Sequence, residues 1–163
     1  MVNNINNISE EFYSDEWFTP EDVVRKMYSI YKPTGIICCP FDTDNSWFVK
    51  VAKELGCQVI YGVKDFLTNN YDFDWLITNP PFSIKDNVIE KCVQSGKQCV
   101  LVLPLDTLGG VRRHKLFRQT KLHVYIPERR ISYLDPTGNK RKGASFHSIF
   151  LKINADRNIL EME

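Results

Sequence analysis

Apolar residues along this chain switch between helical spacing and short continuous runs, and the switching predicts its elements. From Pro20 to Tyr31 the apolar positions Val23, Val24, Met27, Ile30 and Tyr31 recur at helical intervals. Pro20 suits the first turn of that helix, where its missing N–H costs nothing. Pro33 and Gly35 break the chain, and residues 35–40 read Gly-Ile-Ile-Cys-Cys-Pro, the pattern of a strand buried on both faces. A polar turn, Asp42-Thr43-Asp44-Asn45-Ser46, opens a second helix with Phe48, Val51, Ala52 and Leu55 on one stripe. Asp44 suits its N-cap and Gly56 its C-terminal end. Strands are expected at 57–61, 74–78 and 98–103, the last stopped by Pro104. A helix from Lys85 to about Gln94, helical residues near 110–118, and strands at 122–126 and 146–152 complete the pattern. Strands alternating with helices predict an α/β domain on a mostly parallel sheet. Only a basic, turn-rich loop (127–143) joins the last two strands, so these are expected to be antiparallel. Residues 1–10 read as a flexible lead-in, 11–153 as a single domain and 154–163 as a C-terminal tail.

Composition narrows the class. With 163 residues, 43% of them apolar and 25% charged, the chain can bury a real core and is not a disordered segment. No apolar run nears the ~20 residues that span a bilayer, and the N-terminus lacks the basic and apolar blocks of a signal peptide. Cys38, Cys39, Cys57, Cys92 and Cys99 contain no CxxC pair, and read as reduced, mostly buried thiols of a cytosolic protein rather than disulfides or metal ligands. The net charge of +1 hides an asymmetry: residues 1–106 carry 9 Lys/Arg against 15 Asp/Glu, and residues 107–163 carry 12 against 5. Balances of −6 and +7 suit a polyanion-binding face beside an acidic pocket, or an unevenly charged solvated surface.

Ligands of doubly wound sheets bind outside the carboxyl ends of the strands, and three strand ends here carry polar or special residues. The first strand leads through Pro40, Phe41 and Asp42 into a helix N-terminus, which offers free N–H groups to an anionic ligand group. Lys64-Asp65-Phe66-Leu67 places an acceptor in a short connection, where a solvated turn residue is the plainer reading. The third is sharper. Asp74-Trp75-Leu76-Ile77-Thr78 runs into Asn79-Pro80-Pro81-Phe82, and the two prolines remove two donors and stiffen the exit. Asn79 Oδ1 and the Pro80 carbonyl can both accept from one –NH2 group, while Phe82 can stack on the planar ring that bears it.

Asn79-Pro80-Pro81-Phe82 resembles the (D/N/S)PP(Y/F/W) motif of S-adenosylmethionine-dependent methyltransferases that act on exocyclic or amide nitrogens. Glu16-Trp17-Phe18-Thr19-Pro20 resembles the W-x-T-P segment of phage-type N6-adenine methyltransferases, which lies over the methionine part of their cofactor. Cys39-Pro40-Phe41 resembles the first half of the PF.G.G cofactor loop, with Asp42-Thr43-Asp44-Asn45-Ser46 in place of its glycines. Lys64-Asp65-Phe66 resembles the GDF segment whose Asp accepts from the cofactor adenine. Pro127-Glu128-Arg129-Arg130-Ile131 and Gly143-Ala144-Ser145-Phe146-His147-Ser148 resemble the P..RI.F … SF.S hairpin of the same proteins. The resemblance spans roughly residues 15–153. Tyr61-Gly62 stands where an acid often holds the ribose hydroxyls, and Asp42 or Asp44 is the candidate replacement.

The resemblance implies a Rossmann-like methyltransferase fold, α/β with a mostly parallel central sheet and an antiparallel C-terminal strand. It implies S-adenosylmethionine as cofactor and methyl transfer to N6 of adenine, in DNA, with a phage origin and cytoplasmic action. Asn79, Pro80, Pro81 and Phe82 are then catalytic. Trp17, Phe18, Thr19, Pro20, Pro40, Phe41, Asp42 and Asp65 are expected to bind the cofactor. Nucleic acid as partner rests on the basic residues Arg112, Arg113, Lys115, Arg129, Arg130, Lys140, Arg141 and Lys142. The alternatives are RNA adenine, a protein glutamine amide, or a catalytically silent binding protein of the same fold.

Overall fold

The computed structural model describes residues 17–140 and 146–163. Helix α1 (Glu21–Tyr31) precedes strand β1 (Ile36–Cys39), α2 (Trp47–Glu54), β2 (Gln58–Tyr61) and β3 (Trp75–Thr78). A 3-10 turn (Phe82–Ile84) leads into α3 (Lys85–Ser95) and β4 (Gln98–Pro104); a second (Leu105–Leu108) precedes α4 (Val111–Phe117). Strands β5 (Leu122–Ile126), β6 (Ser148–Ile153) and β7 (Ile159–Met162) complete a seven-stranded sheet of order β2-β1-β3-β4-β6-β5-β7. β1, β2, β3 and β4 pair in parallel, and β6 runs antiparallel to both β4 and β5. The predicted α/β architecture and its antiparallel strand are therefore what the chain adopts.

Side-chain alternation explains the three layers. β4 is buried almost throughout. Val100 and Val102 face the layer of α1 and α2, where Met27, Tyr28, Phe48 and Ala52 pack. Cys99, Leu101 and Leu103 face Val88, Ile89 and Cys92 of α3 and Leu116 of α4. A strand covered on both sides has no polar face to spend, which is why its sequence is a continuous apolar run. All five cysteines are free thiols, four of them buried, and burial pushes the Cys38 thiol up to about 12. No helix among the described residues is long and apolar enough to cross a membrane.

Three features differ from the sequence reading by more than one residue at an element's edge. Ser46, not Asp44, caps α2: its Oγ accepts from the Phe48 N–H at 3.2 Å. β6 starts at Ser148 because Phe146 turns into an aromatic cluster and the His147 carbonyl accepts from the Leu105 N–H at 2.8 Å. Residues 154–163, expected as a tail, supply β7, which pairs in parallel with β5 from His123↔Ile159 to Ile126↔Met162. Polar side chains pin that strand. Asn158 Oδ1 accepts from the Leu122 N–H at 2.9 Å, Glu161 meets His123 at 2.7 Å, and Glu163 accepts from the Glu128 N–H at 2.8 Å.

One glycine sets the entry to β1. Gly35 has φ +80°, and a Cβ there would stand 2.1 Å from the Asp74 carboxylate that accepts from the Ile36 N–H at 2.7 Å. Gly56 has φ +79° but nothing within 4 Å of its missing Cβ. Gly56→Ala should therefore cost only the left-handed strain, about 1 kcal/mol. Gly35→Ala should cost about 2 kcal/mol or more, because Asp74 must also leave its partner. Urea unfolding of the two variants checks this, and equal losses would mean that the Asp74 side chain moves aside freely.

Candidate active site

Two neighbouring strands end side by side and bring the candidate chemistry together. β1 runs out through Pro40 and Phe41 to Asp42, and β3 through Thr78 to Asn79-Pro80-Pro81-Phe82. Thr78 is wholly buried, and its Oγ1 donates to Asp42 Oδ2 at 2.7 Å. Asp42 Oδ1 accepts from the Ser46 hydroxyl, also at 2.7 Å, which ties the same carboxylate to the N-cap of α2. One acid thus joins two strand ends and a helix start.

A cavity of about 180 Å³ opens above this junction, with Trp17, Phe41, Asp42, Ser46, Phe48 and Asn79 in its wall. Phe18, Thr19 and Pro81 also line it, so five residues expected at the cofactor and two expected in catalysis share one space. Its remaining side comes from the loop after β5, through Leu134, Asp135, Pro136 and Gly138. That loop tip is held by Asp135 Oδ1, which accepts from the Thr137 and Asn139 N–H groups at 2.9 and 3.0 Å. Phe18 and Leu134 exchange two backbone hydrogen bonds, of 3.2 and 2.9 Å, which fasten the first described residues to the same loop.

Asn79 is held by one end only. Its Nδ2 donates to the Trp17 carbonyl at 2.6 Å and to Thr19 Oγ1 at 3.2 Å. Its Oδ1 is buried and has no hydrogen-bond partner among the described residues. A buried oxygen left unpaired costs about 1–3 kcal/mol, so it is a site that gains from a donor brought by a ligand. Beside it the Phe82 ring lies nearly parallel to Trp17 (20°, centroids 6.4 Å apart) and edge-on to Phe146 at 5.4 Å. Tyr133 closes the cluster from below, its ring edge-on to Trp17 at 5.6 Å and its hydroxyl 2.6 Å from Ser148 Oγ. Burial pushes the Tyr133 phenol above its ordinary range, so it stays neutral.

Other expected residues fall elsewhere. Pro20, Pro40, Pro80 and Phe82 are not among the cavity's lining residues, and the Pro40 carbonyl accepts from the Val63 N–H at 2.9 Å. Asp65 lies exposed beyond the cavity. Phe41 meets Phe66 edge-on at 5.8 Å, which puts Asp65 one residue past the aromatic end. Its carboxylate accepts from Tyr71 and Asn69, and these bonds hold it below the usual carboxylate range. Asp44 is also exposed and pairs with Lys53 at 3.3 Å, leaving Asp42 as the acid that faces the cavity.

The basic residues divide. Arg112 bonds Glu90 at 2.7 Å and Asn87 at 2.9 Å; Arg113 bonds Asp86 at 3.0 Å and the Gly109 carbonyl at 2.6 Å. Both charges are therefore matched by acids of α3. Lys115 is exposed, and Arg129, Arg130 and Lys140 surround a groove that shares Leu134 with the cavity. Arg141 and Lys142 lie outside the described residues, as does Glu16. Sequence reasoning missed Thr78, Ser46 and the wall at 134–138; the polar residue just ahead of Asn79 was the available signal.

No family model matches the sequence, and no curated protein matches it. Among solved structures, the chain is similar to a Listeria monocytogenes protein assigned to the class I S-adenosylmethionine-dependent methyltransferases. The TM-score is 0.59 at 14% identity, over 89% of this chain and 65% of that one, so this chain spans less than two thirds of its neighbour. An Agrobacterium tumefaciens protein predicted to be an O-methyltransferase aligns with a TM-score of 0.41 at 12% identity, over 80% of this chain and 78% of that one. The first likeness shows the fold alone: this chain shares the Rossmann-like α/β architecture of that structure.

Proposed function

We propose that the chain is an S-adenosylmethionine-dependent methyltransferase acting on the N6 amino group of adenine, in DNA. The observation that carries the reading is the buried, unpartnered Oδ1 of Asn79 on the wall of a cavity at two strand ends. The cavity fits the cofactor in kind. Trp17, Phe41 and Phe48 give apolar and aromatic walls, and the Asp42 carboxylate, anchored by Thr78 and Ser46, suits hydroxyls and positive charge. When bound, the cofactor would supply an electrophilic methyl group on a sulfonium.

The chain's own residues then have separate tasks. An adenine amino group is a weak nucleophile because its lone pair is delocalised into the ring. Asn79 Oδ1, with the Pro80 carbonyl, would accept hydrogen bonds from its two N–H groups and favour the pyramidal form whose lone pair is free. One of these protons would leave to solvent once the methyl is bound. Prolines at 80 and 81 keep these acceptors from drifting, so the contribution is positioning and electrostatics without a covalent intermediate. Phe82 and its aromatic neighbours offer a face for the ring, and a duplex substrate must flip its base to reach it. A glutamine amide as acceptor is the second reading, favoured by the internal pairing of Arg112 and Arg113, which takes two cations from the basic half.

Transfer of labelled methyl to duplex DNA, single-stranded DNA, RNA and glutamine peptides, followed by nucleoside and amino-acid analysis, tests the proposal directly. Asn79→Ala should lower turnover by about 10²-fold or more, comparable to the loss of one preorganised charge-stabilising group, while cofactor affinity by calorimetry stays nearly constant. Wild-type turnover in that variant would remove Asn79 from the chemistry.

Asp65→Ala should weaken S-adenosylmethionine binding by roughly fivefold, since an exposed carboxylate gains less from one hydrogen bond than a buried one. An unchanged dissociation constant would exclude Asp65 from the cofactor site. For duplex DNA, log affinity should fall by about 0.9 per log of salt for each phosphate neutralised. Joint replacement of Arg129, Arg130 and Lys140 by Gln should flatten that slope, whereas Arg112→Gln should leave it nearly unchanged. The opposite order would place the DNA at α4.

A further inference from the structure

An asparagine can present either end to a ligand, because its oxygen and nitrogen have nearly the same shape. In this chain residues 17–19 make the choice. The Trp17 carbonyl can only accept, so at 2.6 Å it requires the nitrogen end of Asn79 on its side. Thr19 Oγ1, on a residue 6% exposed, takes the second Nδ2 proton at 3.2 Å. With both protons spent, only Oδ1 is left to meet a donor, and none among the described residues is bonded to it.

We infer that Thr19 is a positioning residue for Asn79: with the Trp17 carbonyl it fixes the amide plane so that the cavity meets an acceptor alone. The inference rests on the methyl-transfer reading for its kinetic consequence, and on the two hydrogen bonds for the rest. It moves Thr19 from the cofactor's methionine end, where the sequence resemblance put it, to the acceptor side. The arrangement also reaches outward. Phe18, between the two acceptors, is bonded through its backbone to Leu134, and Leu134 bridges to Lys140 in the basic loop. The loop that borders the basic groove therefore holds the segment that orients the amide.

The test uses the intact chain labelled with ¹⁵N, together with steady-state kinetics and S-adenosylmethionine calorimetry. The Asn79 side-chain amide pair is identified by its loss in Asn79→Ala. Thr19→Val, which keeps the shape and removes the acceptor, is expected to speed hydrogen exchange of that pair by about tenfold and to lower kcat by about 5- to 10-fold. Cofactor affinity and the substrate KM should stay within about twofold. Thr19→Ser, which restores the acceptor, should recover most of both effects, and in an Asn79→Ala background Thr19→Val should add no further loss of kcat. If Thr19→Val does not fold, Thr19→Ala is read in its place, since it too lacks the acceptor. An amide pair unchanged by the loss of Thr19 Oγ1 overturns the inference, and so does weakened cofactor binding with unchanged kcat. If the wild-type protein transfers methyl to none of the acceptors while the amide pair responds as stated, the methyl-transfer reading falls and the positioning role stands.

Discussion

The hydrogen bond from Thr78 to Asp42 joins the ends of β1 and β3. Those strands are neighbours in a parallel sheet, so their carboxyl ends leave on the same side, yet nothing in a parallel ladder fixes the loops beyond them. A single carboxylate does so here, by also accepting from Ser46 at the start of α2. Phe41 and Asn79 both line the cavity, and each follows closely on one of these two strand ends. The two prolines after Asn79 extend the same rigidity into the 3-10 turn. A site built next to strand ends is held more firmly than one carried on long loops, and the 134–138 wall of this one comes from the loop between β5 and β6.

Much of this was legible because the strongest signals were local. Continuous apolar runs marked the buried strands, and the break after Thr78 marked the site. Trp17, Thr19, Phe41, Asp42 and Asn79 were each visible as a short motif, and the fold brings them to one cavity. What stayed hidden depended on partners far along the chain. The strand at 159–162 is a run of only four residues, Ile-Leu-Glu-Met, and its place beside β5 is secured by Asn158, Glu161 and Glu163 reaching residues about 35 to 38 positions away. Phe146 reads as the first residue of a strand by pattern, and only the cluster with Trp17 and Phe82 explains why it turns away.

Charge counting failed for a similar reason. A balance of +7 over residues 107–163 treats every cation as available, whereas Arg112 and Arg113 are matched by Glu90 and Asp86 on the helix before them. Partly exposed pairs of this kind contribute little to stability, but they remove charge from a face that would otherwise attract phosphate. The cations that remain with the site are those of the loop after β5, around a groove that shares Leu134 with the cavity wall.

An amide that has spent both protons and shows only its oxygen reads one polarity. It welcomes a hydrogen donor and meets a carbonyl with lone pair against lone pair. Adenine differs from its deamination product hypoxanthine at this point, an amine becoming a keto oxygen of almost equal size. Shape cannot separate the two, and a site able to turn its amide over would take both. With Nδ2 engaged by the Trp17 carbonyl and Thr19, Asn79 has no donor to offer a keto group. For the proposed adenine substrate, rejection of the deaminated base would then need no residue of its own: it would follow from the pair of bonds that stop one asparagine from turning.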